Sequence, residues 1–378
     1  MPACRTSKNP WKWLLFVILI VLSLLGINYS VEISRHLANR SQLYAHRNSF
    51  GAFKESNPSG KTVLFWTTFF GVEDFYVGLE TAPFRLCSSK QCFTTSDRSL
   101  LNQSDAIIFH IRDLDMKDLP DHRFAHQYWI FYLLESPSNT PRFFNTLDNM
   151  FNWTFTYRRD SDLFSPYSVN VNLYEEKDLA SLRAQLANKK KKVAWFVSNC
   201  NTPSKRELYA EELSNYINVD FYGACGTLQC LDRVPCYQML GRDYKFYLAF
   251  ENSLCLDYVT EKFFNVLKYG VVPVVYGSAN YSSFISKDAF INVQDFESPK
   301  HLADYLNFLD ANMTAYERYF DWRFEDQIED YRPFCDLCEM LHNVSLPAKS
   351  YSNMRNWWFQ KSQCVAVKDL KSQFRKPV

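Results

Sequence analysis

KFYLAFENSLCLDYVTEKFFNVLKYGVVPVVY, residues 245–276, runs from an apolar stretch through a polar loop and a helix-like segment to a second apolar stretch. KFYLAF reads as a buried strand and ENSLCLDYV as a loop at its C-terminal end. Thr260 is placed to cap a helix whose apolar positions Phe263, Phe264 and Leu267 face a sheet; Gly270 ends it, and VVPVVY returns as a strand. The unit is a βαβ crossover. In such sheets ligands settle beyond the C-terminal strand ends, and a helix N-terminus there offers N–H groups and partial positive charge to an anion. Lys262, in the first turn, opposes the macrodipole at a cost of a few tenths to ~1 kcal/mol. A bound diphosphate would offset that cost; the plainer alternative is a surface pair with Glu261 or Asp257.

Outward from this unit, the pattern repeats. VAWFVSN starts a strand at Val193, a helix is expected from about Ser204 to Tyr216, and VDFYG is a further strand. Earlier, VLFWTTFF, AIIFHI and QYWIFYLLES are short apolar runs separated by polar segments, as buried parallel strands require. The run Lys189 to Lys192 between the two series reads as a solvated linker, because no basic neighbours extend it into a nucleic-acid patch. The class is therefore α/β, in two domains.

From Trp13 to Ile27 the chain is WLLFVILIVLSLLGI, with Arg5, Lys8 and Lys12 before it and no acidic residue in the first thirty positions. This is the pattern of a short signal-anchor that leaves the basic tail cytosolic and sends the C-terminal bulk to the lumen. No A-x-A pattern follows to mark cleavage. The division expected is a cytosolic tail at 1–12, a transmembrane signal-anchor at 13–29, a stem at 30–60 and α/β domains at 61–188 and 189–345. A C-terminal tail at 346–378 has no functional reading beyond packing back, Trp357 and Trp358 included. Sequons start at Asn28, Asn39, Asn102, Asn152, Asn280, Asn312 and Asn343, all but Asn28 far enough from the membrane to be glycosylation candidates. Cys4 falls in the tail; the other ten cysteines, an even number, follow the anchor, where an oxidising lumen pairs them. A formal charge of +1, from 42 basic and 41 acidic residues, argues against nucleic acid as a partner.

The segment FENSLCLDYVTEKFFNVLKYGVVPVVYG resembles the signature of the α1,3-fucosyltransferases. Upstream FYLLESPSNTP, TYRRDSDLFSPY, WFVSNCNTPSKRELYAEEL and VDFYGACGT, and downstream FINVQDFESPKHLADYL, YFDWR and FCDLC, match in the same order, spanning about residues 61 to 340. The resemblance implies a type II Golgi membrane enzyme with a lumenal catalytic part. It implies a GT-B type fold, two Rossmann-like domains facing a cleft, with acceptor held by the first and nucleotide sugar by the second. The implied reaction moves L-fucose from GDP-fucose to the 3-hydroxyl of an N-acetylglucosamine in a glycoprotein or other glycan, with inversion and no obligatory cofactor. Which glycan accepts is left open, as is stimulation by a divalent cation.

Inverting transfer needs a base for the attacking hydroxyl and positive charge for the departing diphosphate. Glu135 closes the apolar run WIFYLLE at a strand end, where partial desolvation strengthens a carboxylate as a base, although a glutamate there can also cap a loop or pair with arginine. The resemblance matches it to the family's catalytic glutamate. Arg206, a bidentate phosphate grip by chemistry, can equally pair with Glu207 or Glu211 on a helix. By resemblance Arg206, Lys262, Asn252, Tyr258 and Glu261 fall at donor-binding positions, with Ser198, Asn199, Tyr247 and Tyr167 as weaker matches; each tyrosine is also a plausible core aromatic among 23.

Asp113 and Asp115, and Asp160 and Asp162, have the D-x-D spacing of metal-dependent transferases, but Arg206 and Lys262 would duplicate the metal's role, so both pairs read as structural or acceptor-side acids. His122 and His126 have helix-face spacing without the glutamate or third ligand of a zinc site. Cys87, Cys92, Cys335 and Cys338 offer four thiolates, which an oxidising lumen turns into disulfides; the resemblance suggests that the two pairs cross-link. Cys200, Cys225, Cys230, Cys236, Cys255 and Cys364 remain, with no connectivity deducible. The rival functions are a metal-dependent transferase using another nucleotide sugar and a non-catalytic membrane-anchored glycan-binding protein of the same fold.

Overall fold

Eleven parallel strands among the described residues form two sheets, and the order within each fixes where ligands can go. The computed structural model describes residues 60–88, 91–140, 147–167, 179–325 and 331–368, all within the unit Ser59–Val378. The expected tail, anchor and stem up to residue 59, with Cys4, Asn28 and Asn39, lie outside the described residues; among those described, no helix is long and apolar enough to cross a membrane.

The first sheet runs β2-β1-β3-β4-β5-β6, from β1 (Lys61–Phe65), β2 (Cys92–Thr95), β3 (Ala106–His110), β4 (Tyr128–Leu133), β5 (Trp153–Thr156) and β6 (Leu163–Phe164). The second runs β11-β10-β9-β7-β8, from β7 (Lys191–Phe196), β8 (Val219–Tyr222), β9 (Tyr244–Phe250), β10 (Val272–Tyr276) and β11 (Ile291–Asn292). Both sheets start with the same reversal: the second strand lies outside the first, and the third on the first strand's other side. β9 and β10 are buried along their whole length, which is why KFYLAF and VPVVY are continuous apolar runs instead of alternating ones.

Six helices attend the second sheet: α1 (Leu179–Ala187), α2 (Arg206–Ser214), α3 (Arg233–Asp243), α4 (Glu261–Leu267), α5 (Pro299–Ala311) and α6 (Met313–Glu317). α7 (Trp322–Glu325) follows, and α8 (Pro333–His342) lies later in the chain. α4 is the expected crossover. Thr260 is its N-cap and Gly270, at φ +65°, follows its end; Phe263, Phe264 and Leu267 are buried against the sheet, each contributing ~1.5–3 kcal/mol.

One face of the first sheet, with Leu64, Ile107, Phe109 and Phe131, is covered by Met354, Trp357 and Trp358. The opposite face, with Phe65, Ile108 and Phe155, is covered by Phe75, Phe84 and the α8 residues Phe334 and Leu337. Disulfides Cys87–Cys335 and Cys92–Cys338 fasten α8 there, and Cys255–Cys364 ties the segment after Trp358 to the loop beyond β9. The first sheet's core therefore draws on residues that a linear division counts with the second domain and the tail. Cys200–Cys225 and Cys230–Cys236 complete the set.

The lysine run is solvated only in part: Lys190 and Lys191 are exposed, but the run is not a linker. Lys189 is buried and its ammonium donates to the carbonyls of Gly241 and Tyr244, so burial pulls its pKa down to about 7. Lys191 and Lys192 already belong to β7, paired with Asp220 and Asp310. The second sheet thus uses the run as a strand start and as a clasp on the backbone leading into β9, a demand invisible in local composition.

Candidate active site

In a sheet with the order of the second one, the crevice opens where the crossovers part to opposite sides, between the C-terminal ends of β7 and β9. A cavity of about 430 Å³ lies at that point, lined among others by Phe196, Ser198, Asn199, Arg206, Tyr247, Asn252, Glu261 and Lys262. Seven expected residues from four sequence segments thus meet in one place. Gly223, at φ +99°, follows β8 on the rim; a Cβ there would stand 2.7 Å from the Val197 carbonyl oxygen and 2.9 Å from Ser198 Oγ. Only glycine lets β8 end so close to β7.

Lys262 is held by a network of which sequence reasoning named Glu261 but missed Glu251. Its ammonium donates to Thr260 Oγ1 at 2.8 Å and to Glu261 Oε1 at 3.1 Å, and lies 3.5 Å from Glu251 Oε2. Glu251, directly after β9, has no solvent exposure; it accepts from Thr260 N at 2.8 Å and from Thr260 Oγ1 at 3.0 and 2.9 Å. The expected open helix end is thereby filled from within: Glu251 takes the Thr260 N–H, and the Thr260 side chain accepts from Lys262 N. The alternative partner Asp257 is not used; it accepts from Arg159 N instead. Burial opposes the Lys262 charge, but Glu251 and Glu261 outweigh it and the pKa is raised. Burial would likewise raise Glu261, yet Lys262 holds it below the usual carboxylate range. For Glu251 burial wins, and its pKa is raised.

Arg206, at the start of α2, is 2% exposed and makes no ion pair to Glu207 or Glu211 of the kind an exposed helix would allow. Its Nη1 donates to the Phe250 carbonyl at 2.5 Å and its Nη2 to the Asn199 carbonyl at 3.3 Å, with the guanidinium 5.4 Å from the Trp195 ring centroid. Burial lowers its pKa, against the pull of Glu251. Its Nε and Asn252 Oδ1 are buried without a partner among the described residues. A donor and an acceptor left unmet beside a cavity are costly unless a polar ligand meets them.

Glu135 does not line this cavity. It is half-buried two residues past β4, and its neighbour Ser136 donates from Oγ to Ser253 Oγ at 2.8 Å, one residue from Asn252. The two sheets' C-terminal loops therefore touch beside both groups. Tyr167 donates to the Leu134 carbonyl at 2.7 Å and packs 6.4 Å from Tyr258, whose ring lies 5.0 Å from Tyr157. Neither Tyr167 nor Tyr258 lines the cavity. Burial raises both phenols well above their usual value, and both also feel the charges of Glu135, Glu251 and Glu261. They form the packed layer between the half-buried carboxylate and the network around Lys262.

The corresponding crossover reversal of the first sheet, between β1 and β3, holds His110. It is fully buried, with both ring nitrogens lacking a hydrogen-bond partner among the described residues, Asp113 Oδ2 3.5 Å from Nδ1, and the rings of Phe69 and Phe70 against it. Asp113 accepts from Thr68 Oγ1, and Asp115 from Lys117 N in its own turn. Asp160 pairs with Arg158, and Asp162 accepts from Thr154 and Lys349. Each D-x-D acid is thus used locally. His122 and His126 stand in a loop around Phe124, on no helix. The cluster of Cys92, Cys338 and His342 has metal-ligand proximity, but its two sulfurs are joined to each other. Asn102, Asn280, Asn312 and Asn343 are exposed, whereas Asn152 is half-buried and uses its carboxamide on Trp129 N, Arg123 and the Lys349 carbonyl.

Two family models cover the chain: the fucosyltransferase N-terminal model matches residues 58–168, and the C-terminal model of glycosyltransferase family 10 (fucosyltransferase) matches residues 186–357. The chain is 36% identical to "Alpha-(1,3)-fucosyltransferase C" of Drosophila melanogaster over 94% of its own length and 90% of the fly protein. It is also 36% identical to "4-galactosyl-N-acetylglucosaminide 3-alpha-L-fucosyltransferase 9" of Bos taurus, over 82% of this chain and 86% of that one. A solved α1,3-fucosyltransferase with GDP shares the fold at a TM-score of 0.52 and 18% identity, over 78% of this chain and 94% of that one. The parallel sheets, the crevice at their strand ends and this kinship agree: the chain belongs to the α1,3-fucosyltransferase family, glycosyltransferase family 10.

Proposed function

We propose that the chain transfers L-fucose from GDP-fucose to the 3-hydroxyl of an N-acetylglucosamine in a glycoprotein or other glycan, with inversion. The observation that carries the reading is the convergence of Arg206, Lys262, Glu261 and Asn252 on one crevice, with unmet polar atoms on Arg206 and Asn252. In this scheme Glu135 accepts the proton of the attacking hydroxyl as that oxygen bonds to the fucosyl carbon. The bond from that carbon to the β-phosphate oxygen breaks, and Arg206 and Lys262 meet the charge on the departing GDP. The two sheets act as the lobes of a GT-B arrangement with a cleft between them, donor on the second and acceptor on the first. The residue ranges 61–188 and 189–345 correspond to those roles, except that α1 of the first range packs on the second sheet and α8 of the second range on the first. No cofactor is obligatory, because two cations already serve the diphosphate, and a divalent ion adds at most stimulation.

The same reading includes a signal-anchor at 13–29, a single-pass type II topology in the Golgi membrane and a lumenal catalytic part. Ten cysteines paired in five bonds suit that oxidising compartment. Incubating the soluble part with GDP-fucose and a defined glycan array, with and without EDTA, tests it. Fucosylated N-acetylglucosamine in both arms is expected. Transfer only from a UDP-sugar, or none from GDP-fucose to any glycan, refutes it.

A further inference from the structure

We propose that Glu251 is a positioning residue for Lys262 that takes up a proton from solvent when the donor's diphosphate enters the crevice, releasing the ammonium toward the phosphates. The proposal rests on the donor reading above. Around the crevice the charges nearly cancel: Arg206, Lys262 and, on the rim, Arg233 face Glu251 and Glu261, a surplus of one positive charge. A nucleoside-diphosphate sugar brings two more negative charges into this space. Leaving all four acidic charges in place would bury an excess of like charge, which proteins relieve by neutralising the most desolvated acid. Glu251 is that acid, with no solvent exposure, whereas the Glu261 side chain is 34% exposed.

The hydrogen-bond directions show what one proton would do. The Thr260 hydroxyl has a single proton, which goes to Glu251, while its lone pairs accept from the Lys262 ammonium at 2.8 Å. A protonated Glu251 donates back to Thr260 Oγ1 and turns that hydroxyl's proton toward Lys262. The ammonium then loses an acceptor and a counter-charge in the same step, keeps only Glu261, and is free to move to an incoming phosphate oxygen. The groups facing Glu251 are few. They are Thr260, Glu261 and Lys262 from α4 and its cap, Arg206 from α2, and the phenols of Tyr167, Tyr258 and Tyr281, which burial keeps neutral. Within that set the competing carboxylate is Glu261, which the adjacent Lys262 holds below the usual carboxylate range, so the fully buried Glu251 takes the proton.

The test is titration calorimetry of GDP-fucose, without acceptor, in two buffers of different ionisation enthalpy. The two phosphates of this ligand each carry one charge throughout the range, so a proton taken up belongs to the protein. Uptake approaching one proton per site is expected. Kd should weaken as pH rises above the usual carboxylate range, by up to about tenfold per pH unit. Glu251→Gln should abolish both the uptake and the slope, and isotope-edited infrared difference spectra of the unaltered protein should gain a protonated carboxyl band on binding. Binding without proton uptake or such a band overturns the proposal and leaves the donor reading standing, as does an unchanged slope in Glu251→Gln. No binding of GDP-fucose at any pH overturns both.

Discussion

Lys262→Met removes the cation that faces a carboxylate without solvent exposure, and its consequence can be worked from the geometry. Glu251 keeps its two bonds from Thr260 but loses the ammonium at 3.5 Å, so it becomes a buried acid with no charge partner nearer than Arg206. Breaking a buried pair from one side costs ~3–5 kcal/mol when the remaining group stays charged. Glu251 can avoid part of that cost by taking a proton, which itself costs about 1.4 kcal/mol for each pH unit above its pKa. Its folded pKa is already raised and rises further in the variant. The stability of a group raised in this way is present below its unfolded pKa and is lost as pH rises through the folded one.

The variant's deficit should therefore be small at about pH 5 and should approach ~3 kcal/mol at about pH 7.5, a loss of ~5–10 °C in Tm. Thermal unfolding of Lys262→Met across this range, alongside Glu251→Gln and the double variant, measures it. The double variant should recover most of the loss at neutral pH. A deficit that does not vary with pH, or a double variant no more stable than Lys262→Met, would refute the reasoning.

Three further outcomes are expected. Glu135→Gln should lower kcat by about 10² to 10⁴ with GDP affinity nearly unchanged, since the lost group acts on the acceptor hydroxyl; near-normal turnover removes it from the mechanism. Burial pushes His110 down to about 4, so the unfolded chain binds its proton first and stability falls as pH drops from 6.5 toward 4, by up to ~3 kcal/mol. His110→Phe should flatten the denaturation midpoint over that interval, and an unaltered slope would show that another group is responsible. Replacing Cys87 and Cys335 together by Ser should cost ~2–5 kcal/mol by loosening α8, which Cys92–Cys338 still ties to the first sheet, read by urea unfolding; an unshifted midpoint would mean that Cys92–Cys338 and the α8 core suffice.

The α/β class, the strands and the crossover at 245–276 were legible because buried parallel strands and capped helices leave local marks: continuous apolar runs, Thr260 before a helix, Gly270 after it. Apart from Lys262, marked by its place against the helix dipole, the residues of the crevice were legible only through resemblance. Nothing local separates Arg206 from a surface arginine, and its burial is set by Phe250, Asn199 and Trp195, which are distant in sequence or act through backbone atoms. Glu251 escaped notice for the same reason. A glutamate after an apolar run reads as a strand end, and only the return of Thr260 and Lys262 across the loop makes it a buried counter-charge. The lysine run misled because four like charges normally stay in water, while here backbone carbonyls receive Lys189 and acids from other elements pair with Lys191 and Lys192. Sequence alone determined what is periodic or punctuated along the chain. Which charges face one another, which cysteines join and which sheet the last helix covers were decided by tertiary structure, because those energies depend on distances that close only when remote segments meet.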